Sequence, residues 1–290
     1  MIDLVSAMTG LTNVPCTIGY SCDGATAGTA NDGVNRWTSQ ANMAARWPNG
    51  STTRLWMVLK FPSLGGSGSG AQVLITSPTT NTGTAAVSGS VVFSASAGFT
   101  GGSITTNPMA TDQQILISSS NLEQGNNTNR AYRFSVVQST DGLDTRVYCY
   151  SAGSLAFIMM ANTAESLDSG VSNGMAFSYW SSASFPAFGS WSFASKPAST
   201  IATTFLGYNQ PLCSINQASD YSGLWPVSPC DLFANSASNH GHVGMLPDIW
   251  ITSSSVVAGD TAPLTGTANQ FVAIAPGILV PWNTGAFSLS

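Results

Sequence analysis

The chain contains few charged residues. Of its 290 residues, 8 are Lys or Arg and 13 are Asp or Glu, so charged residues make up 7% and the net charge is -5. Globular domains typically contain about 25% charged residues. Nucleic-acid binding requires clustered cations, which this chain lacks, so the sequence predicts no nucleic-acid partner. Hydrophobic residues reach 43%, which is incompatible with the composition of an intrinsically disordered chain.

Membrane and secretion signals are also scarce. The first eight residues, MIDLVSAM, contain neither a basic stretch nor an apolar stretch of signal-peptide length. The apolar tract at residues 270–282 is interrupted by Pro276, Gly277 and Pro281, and it is too short for a transmembrane helix. We therefore expect no membrane partner, and we expect the chain to fold in a cytoplasm.

Strong catalytic and cofactor motifs are not evident. No phosphate-binding G-x-x-x-x-G-K-[ST] motif occurs, and no G-x-G-x-x-G motif opens a helix. Glu is scarce, with only Glu123 and Glu165, which disfavours a pair of catalytic carboxylates. The sequence predicts a protein that is not an enzyme and that needs no cofactor and no metal.

The cysteine pattern predicts thiols rather than a disulfide framework. Five cysteines cannot all pair within one chain, and a cytoplasm keeps thiols reduced. No C-x-x-C spacing occurs, so the usual zinc knuckle is absent. We expect buried cysteines that pack as small apolar side chains.

Many short strands are predicted between turn residues. Runs of β-forming residues recur between Gly, Ser, Thr and Pro, which is typical of a sandwich or a barrel. The predicted fold class is mainly β, a β-sandwich or jelly-roll-like fold with one or two short helices near the N-terminus. We interpret residues 1–290 as a single domain with a soft boundary near residues 162–174, where the charge balance shifts.

Two helices are predicted in the first fifty residues. Residues 1–11 place Ile2, Val5 and Met8 on one helical face. A second helix is predicted from Asn35 to about Trp47, with Asn35 or Asp32 as its N-cap.

The clearest strand pattern is a hairpin. Residues 131–139 and 145–150 are two strand-like runs, and Asp141 and Gly142 between them suit a tight turn. In the first run, even-numbered and odd-numbered residues are predicted to face opposite sides. The next run, residues 155–161, is predicted to be a fully buried strand. Residues 178–204 are rich in aromatic residues without a clean period, and we expect extended loops there.

The aromatic residues suggest contact with neighbouring chains. Trp is enriched at protein–protein interfaces, and a chain with so little charge needs another way to stay dispersed. We expect Trp56, Trp250 and Trp282 to be anchors of the core or of an interface.

Two groups of residues could carry chemistry. His240 and His242, two residues apart, would share one face of a strand and could ligate a metal with Asp248, but Gly241 and Gly244 indicate a loop. Asp141 and Asp144 form a carboxylate pair, yet the turn accounts for Asp141 without chemistry. Neither pattern is specific enough to predict a site.

Short stretches spread over most of the chain resemble a family of virion proteins of tailed bacteriophages. These stretches are DGVNRW at 32–37, LWMVLK at 55–60, SAGFTGG at 96–102, ATD at 110–112, QSTDG at 138–142, TRV at 145–147, LPDIW at 246–250, GDT at 259–261 and VPWN at 280–283. Residues 178–204 depart from this resemblance.

The resemblance implies a structural component of the phage particle, with no catalytic site to carry over. Its partners would be copies of itself and other virion proteins, in a ring or array in the tail, neck or tail tip, assembled in the bacterial cytoplasm. Three alternatives stay open. They are a capsid decoration protein, a module on the virion that binds a host surface glycan through Trp and Asn or Asp, and a cell-wall or polysaccharide hydrolase carried on the virion that would depend on Asp141, Asp144 or Asp248.

Overall fold

The structure is a computed structural model. It describes residues 2–23, 35, 37–52, 55–62, 71–77, 90–94, 113–117, 132–139, 142, 144–151, 155–161, 175–180, 191–194, 204–206, 227–235, 240–252, 256–263 and 270–282. These residues form two short helices and three antiparallel sheets. The prediction of a mainly-β fold with short N-terminal helices is confirmed, and a third sheet extends the sandwich to three layers.

The two helices lie near the N-terminus. Helix α1 spans Ile2–Thr9 and buries Leu4, Val5 and Met8. It ends where the amide of Gly10 donates to the carbonyl of Ser6 at 2.9 Å.

Helix α2 spans Gln40–Arg46 and begins later than predicted. Its N-cap is Ser39, whose Oγ accepts a hydrogen bond from the amide of Asn42 at 3.1 Å. The predicted caps, Asn35 and Asp32, are wrong. The Asn35 side chain instead accepts from the amide of Trp37 at 2.9 Å, which forms a local turn before the helix.

The first sheet is a five-stranded meander in the order β1-β2-β3-β4-β5. Its strands are β1 (Thr17–Asp23), β2 (Leu55–Lys60), β3 (Gln72–Thr76), β4 (Ser90–Ser94) and β5 (Gln113–Ile117). Every neighbouring pair is antiparallel.

The middle sheet is a second meander, in the order β10-β9-β8-β7-β6. Its strands are β6 (Tyr132–Gln138), β7 (Thr145–Ser151), β8 (Leu155–Met160), β9 (Met175–Trp180) and β10 (Trp191–Ala194). The predicted hairpin is present as β6 and β7, and the predicted buried strand is β8. The expectation of extended loops over residues 178–204 is wrong in part, because β9 and β10 pair there; alternating aromatic and small residues suit a strand.

The third sheet has six strands in the order β11-β12-β13-β16-β15-β14. Its strands are β11 (Thr204–Leu206), β12 (Ser228–Asn235), β13 (His240–Ile251), β14 (Thr261–Pro263), β15 (Gln270–Ala275) and β16 (Ile278–Pro281). Strand β16 pairs with β13, ahead of β15 and β14 in the sheet. Of the three described sheets, this is the one whose strands do not follow chain order.

Two apolar cores lie on the two sides of the middle sheet. One core joins the helices and the inner face of the first sheet to Val147, Cys149 and Phe157 of the middle sheet. The other joins Tyr148 and Ile158 of the middle sheet to the inner face of the third sheet. Alternate residues of β7 and β8 therefore enter different cores, so these two strands are buried on both faces.

The predicted soft boundary at residues 162–174 and the glycine-rich tract at residues 65–70 lie outside the described residues.

Candidate functional site

A buried arginine marks the most unusual polar site among the described residues. Arg146 lies on β7, where its neighbours in sequence alternate between the two cores. Its side chain is only 2% exposed, although charged side chains are rarely buried unless they are paired. The face of β7 that carries Arg146 also carries Tyr148 and Tyr150, and both tyrosines belong to the core shared with the third sheet.

Asp144, two residues before Arg146, holds the guanidinium with both carboxylate oxygens. Arg146 Nε donates to Asp144 Oδ1 at 2.9 Å, and Arg146 Nη2 donates to Asp144 Oδ2. This fork geometry is the strong form of an Arg–carboxylate contact. Asp144 is fixed in turn by the hairpin, because its amide donates to Ser139 Oγ at 3.0 Å and its carbonyl accepts from the amide of Ser139 at 2.9 Å.

Asp248 reaches the same guanidinium from the third sheet. Arg146 Nη1 donates to Asp248 Oδ2 at 3.5 Å, a single and longer contact. Asp248 lies in a β-bulge of β13: Cys230 of β12 pairs with Leu246 and Pro229 pairs with Trp250, so residues 247–249 lie between the two pairs.

The bulge sets the direction of the Asp248 side chain. Asp248 has φ 59°, the only positive φ among the described residues other than glycine. Asp is one of the few residues that tolerate this left-handed conformation, at some cost in energy. The sequence therefore places Pro247, which cannot donate to the sheet ladder, next to a residue that can turn there.

Tyr148 completes the cluster. Its side chain is fully buried, and its hydroxyl has no hydrogen-bond partner of ordinary geometry among the described residues. Burial raises the pKa of this hydroxyl well above its ordinary value, although the charge of Arg146 acts in the opposite direction. The phenol is therefore neutral at physiological pH.

The same surroundings change the pKa values of Arg146 and Asp248. Burial on its own would lower the pKa of Arg146, but Tyr148 and Asp144 raise it above its ordinary value, so the guanidinium is permanently charged. Burial raises the pKa of Asp248, and Arg146 offsets this only in part. We refer to Asp144, Arg146, Tyr148 and Asp248 together as the Arg146 cluster.

The three predicted tryptophan anchors lie in different places. Trp56 of β2 is fully buried on the face of the first sheet opposite the helices. Trp250 of β13 is half-buried on the outer face of the third sheet, packed against Phe271 and Leu279. Trp282 is half-buried beside the inner core, with its ring centroid 5.3 Å from that of Tyr150 in an edge-to-face arrangement.

The structure brings together only some of the histidines and carboxylates that the sequence patterns contain. His240 and His242 lie on β13, where the sequence suggested a loop. Asp141 lies outside the described residues. The structure joins Asp144 and Asp248 through Arg146, a connection that two separate sequence patterns did not predict. Within the described part of the chain, no group of three or more His, Cys, Asp or Glu side chains could hold a metal ion.

Cys16, Cys149 and Cys230 are buried thiols. Burial raises the pKa of Cys16 to about 12 and raises that of Cys149 well above its ordinary value. A thiol must ionise to act as a nucleophile, so neither residue is suited to that role at neutral pH.

One further run in the sequence has a spacing used by serine hydrolases. GVSNG at residues 170–174 reads G-x-S-x-G, and it lies outside the described residues. In hydrolases that motif joins a strand to a helix. Here the described chain continues directly into strand β9, so the context differs from a nucleophile elbow.

The Arg146 cluster joins the middle sheet to the third sheet. The guanidinium is buried and occupied by carboxylates, and the acids are each about one-quarter exposed, at 26% and 24%. In the sequence, only the position of an arginine inside an apolar strand indicates this cluster. A buried arginine needs an acidic partner, and the sequence does not identify which residue that is.

Neither described helix is long enough and apolar enough to cross a membrane. Comparisons with protein-family models, with curated proteins and with solved structures gave no match.

Proposed function

We propose that the chain is a structural component of a tailed-phage virion, which assembles with copies of itself and with other virion proteins into a ring or array in the tail, neck or tail tip. The observation that carries this proposal is the scarcity of charge, 7% of the chain. Interspersed surface charge normally keeps proteins apart in solution, and its absence favours a chain whose surface is covered by neighbours.

Burial of one of the few cations lowers the surface charge further. Arg146, one of only 8 cations in the chain, is buried and neutralised by Asp144, so the surface is poorer in cations than the composition suggests. The resemblance of short stretches to phage virion proteins agrees with such a role. A buried cluster that joins two sheets supports a structural role for these residues.

Trp250 is the anchor best placed for contact with another chain. It lies on the outer face of the third sheet with Phe271 and Leu279, and the nearby Val257 is 53% exposed. Its indole N–H is buried and has no hydrogen-bond partner within the part of the chain that the structure describes. A partly exposed tryptophan with an exposed valine near it supports contact with another chain.

Sedimentation of the purified protein tests the proposal. We expect an assembly larger than the 29.9 kDa monomer. Trp250→Ala should shift this assembly to smaller species, and it should lower folding stability less than Trp282→Ala does. The matched control is Trp282→Ala, which removes a half-buried ring from the inner core and should lower stability while leaving association intact. A wild-type protein that stays monomeric at high concentration would contradict the proposal.

A further inference from the structure

The turn after helix α2 carries an asparagine directly before a glycine. The turn consists of Pro48, Asn49, Gly50 and Ser51, and the amide of Ser51 donates to the carbonyl of Pro48 at 2.9 Å. Gly50 has φ 84°, which suits the third position of a type II turn. Trp47 anchors the start of the turn, because its side chain is buried in the core of the helices and the first sheet. Asn49 is therefore at the exposed tip of a turn whose base is fixed.

The turn leaves the reactive groups of Asn49 and Gly50 unoccupied. Within the described part of the chain, neither the side-chain amide of Asn49 nor the backbone N–H of Gly50 makes a hydrogen bond. A Cβ added to Gly50 would have no atom within 4 Å beyond its neighbours in the chain, so the peptide between the two residues has open space around it. Glycine also adopts a wider range of backbone angles than other residues. The Gly50 nitrogen therefore needs only a rotation about the Asn49 Cα–C bond to approach the side-chain carbonyl carbon.

Asn13 is also exposed, but its corresponding groups are held in place. Its Nδ2 donates to the carbonyl of Ser139 at 3.1 Å. The amide of the next residue, Val14, donates to Gln138 Oε1 at 3.1 Å. Val14 is also β-branched, so its side chain crowds its own backbone nitrogen. The two exposed asparagines therefore differ in whether the side chain and the following amide are free to meet.

We propose that Asn49 is a self-modification site, at which the chain converts this asparagine to aspartate and isoaspartate without an enzyme. The backbone nitrogen of Gly50 loses its proton and attacks Asn49 Cγ, so that a new N–C bond closes a five-membered imide. The bond from Cγ to the side-chain nitrogen breaks, and that nitrogen takes up the proton and leaves as ammonia. Water then adds to either carbonyl of the imide and opens it to aspartate or isoaspartate. The net reaction consumes a water molecule, releases ammonia and needs no oxidant or reductant.

The product adds charge to a chain that has little of it. The net charge of the chain is -5, and each conversion adds one negative charge at the tip of the turn. Isoaspartate also lengthens the backbone path between Pro48 and Gly50, which removes the spacing that the hydrogen bond from Ser51 requires. The inference is independent of the proposed virion role, because it concerns one exposed turn within a single chain.

Mass spectrometry of the aged protein tests the proposal. The purified chain is incubated in buffer made with oxygen-18 water and then digested with trypsin, which cuts after Arg46 and Arg54 and releases residues 47–54. We expect this peptide to carry an acid in place of the amide, with oxygen-18 taken up, and to contain both aspartate and isoaspartate. Conversion should be faster in alkaline than in neutral buffer, because the attacking nitrogen must lose its proton. A sample digested without incubation gives the baseline.

Three controls test the structural part of the argument. A synthetic peptide of residues 47–54 should convert at a rate within several-fold of that of the folded chain, because the exposed turn gives little protection. Asn13 in the same sample should stay unconverted over the same time, because both of its groups are held. The variant Gly50→Ala should convert several-fold more slowly, because a Cβ hinders attack by the nitrogen beside it.

Each measurement has a result that would overturn the proposal. If Asn49 stays unconverted in the folded chain, the site does not exist, and conversion of the free peptide would show that the turn keeps the two groups apart. If Asn13 converts as fast as Asn49, the hydrogen bonds do not decide which asparagine reacts. Aspartate without isoaspartate, or an unchanged rate in Gly50→Ala, would indicate direct hydrolysis of the side chain rather than attack by the backbone.

Discussion

The two faces of the middle sheet are packed in different ways. The face toward the first sheet contributes Val136, Val147, Cys149, Phe157 and Met159 to an apolar core. The face toward the third sheet contributes apolar residues as well, but it also carries the Arg146 cluster. Apolar burial is strong and non-directional, whereas an arginine between two specific carboxylates defines which residues of the two sheets must meet.

The two interfaces of the middle sheet differ in whether they determine stability or the position of a neighbouring sheet. The first interface needs only side chains of suitable size, so its strength follows the apolar area that it buries. The second interface depends in addition on a bulge that turns Asp248 toward Arg146. We infer that the first interface supplies most of the stability, while the cluster fixes the position of the third sheet.

The largest effect is expected from Phe157→Ala in the first interface. Phe157 is fully buried, and its ring lies 6.2 Å from that of Phe134. The change should lower the free energy of unfolding by about 3–5 kcal/mol, as measured by urea denaturation. Phe134→Ala is the matched control, and because Phe134 is only half-buried it should cost clearly less. Equal losses would mean that burial does not govern this interface.

An intermediate effect is expected from Arg146→Met in the second interface. The change leaves Asp144 and Asp248 without their cation, and both acids are mostly covered, so the free energy of unfolding should fall by about 2–4 kcal/mol. Arg133→Met on β6 is the control, because Arg133 is exposed and its loss should have little effect. The triple variant Arg146→Met, Asp144→Asn, Asp248→Asn should recover much of the stability; no recovery would contradict the charge-based explanation.

The smallest effect is expected at the hairpin turn that holds Asp144. Gly142 has φ 76°, and a Cβ there would clash with the side chain of Val14. Gly142→Ala should therefore cost about 1–2 kcal/mol in thermal or urea unfolding. Gly50→Ala provides the control, since Gly50 has φ 84° but no atom within 4 Å of the added Cβ. If both variants lose the same stability, the contact with Val14 contributes nothing.

Local sequence signals predicted the strands but not the sites where sheets meet. The alternation of β6 and the Asp-Gly turn predicted the hairpin, because both depend on neighbouring residues. The cap Ser39 was missed because Asn35 and Asp32 have the same chemistry, and only the structure shows which residue precedes the first helical turn.

The Arg146 cluster could not be predicted for a different reason. Its partners Arg146 and Asp248 are 102 residues apart in the chain, and their contact depends on a third sheet whose strand order is not sequential. Asp144 and Asp248 belong to separate sequence patterns, and nothing in either pattern indicates that one buried arginine joins them. The one sequence feature that indicates the cluster is Arg146 itself, because a cation inside an apolar strand is rarely buried without a partner.

Antibody labelling of intact phage particles tests the structural role most directly. With an antibody raised against this chain, negative-stain images should show label at one repeated position on the particle, in the tail, neck or tail tip. Label on the capsid surface would indicate the decoration alternative. Particles that carry no label, with all of the chain recovered as free monomer, would contradict the account.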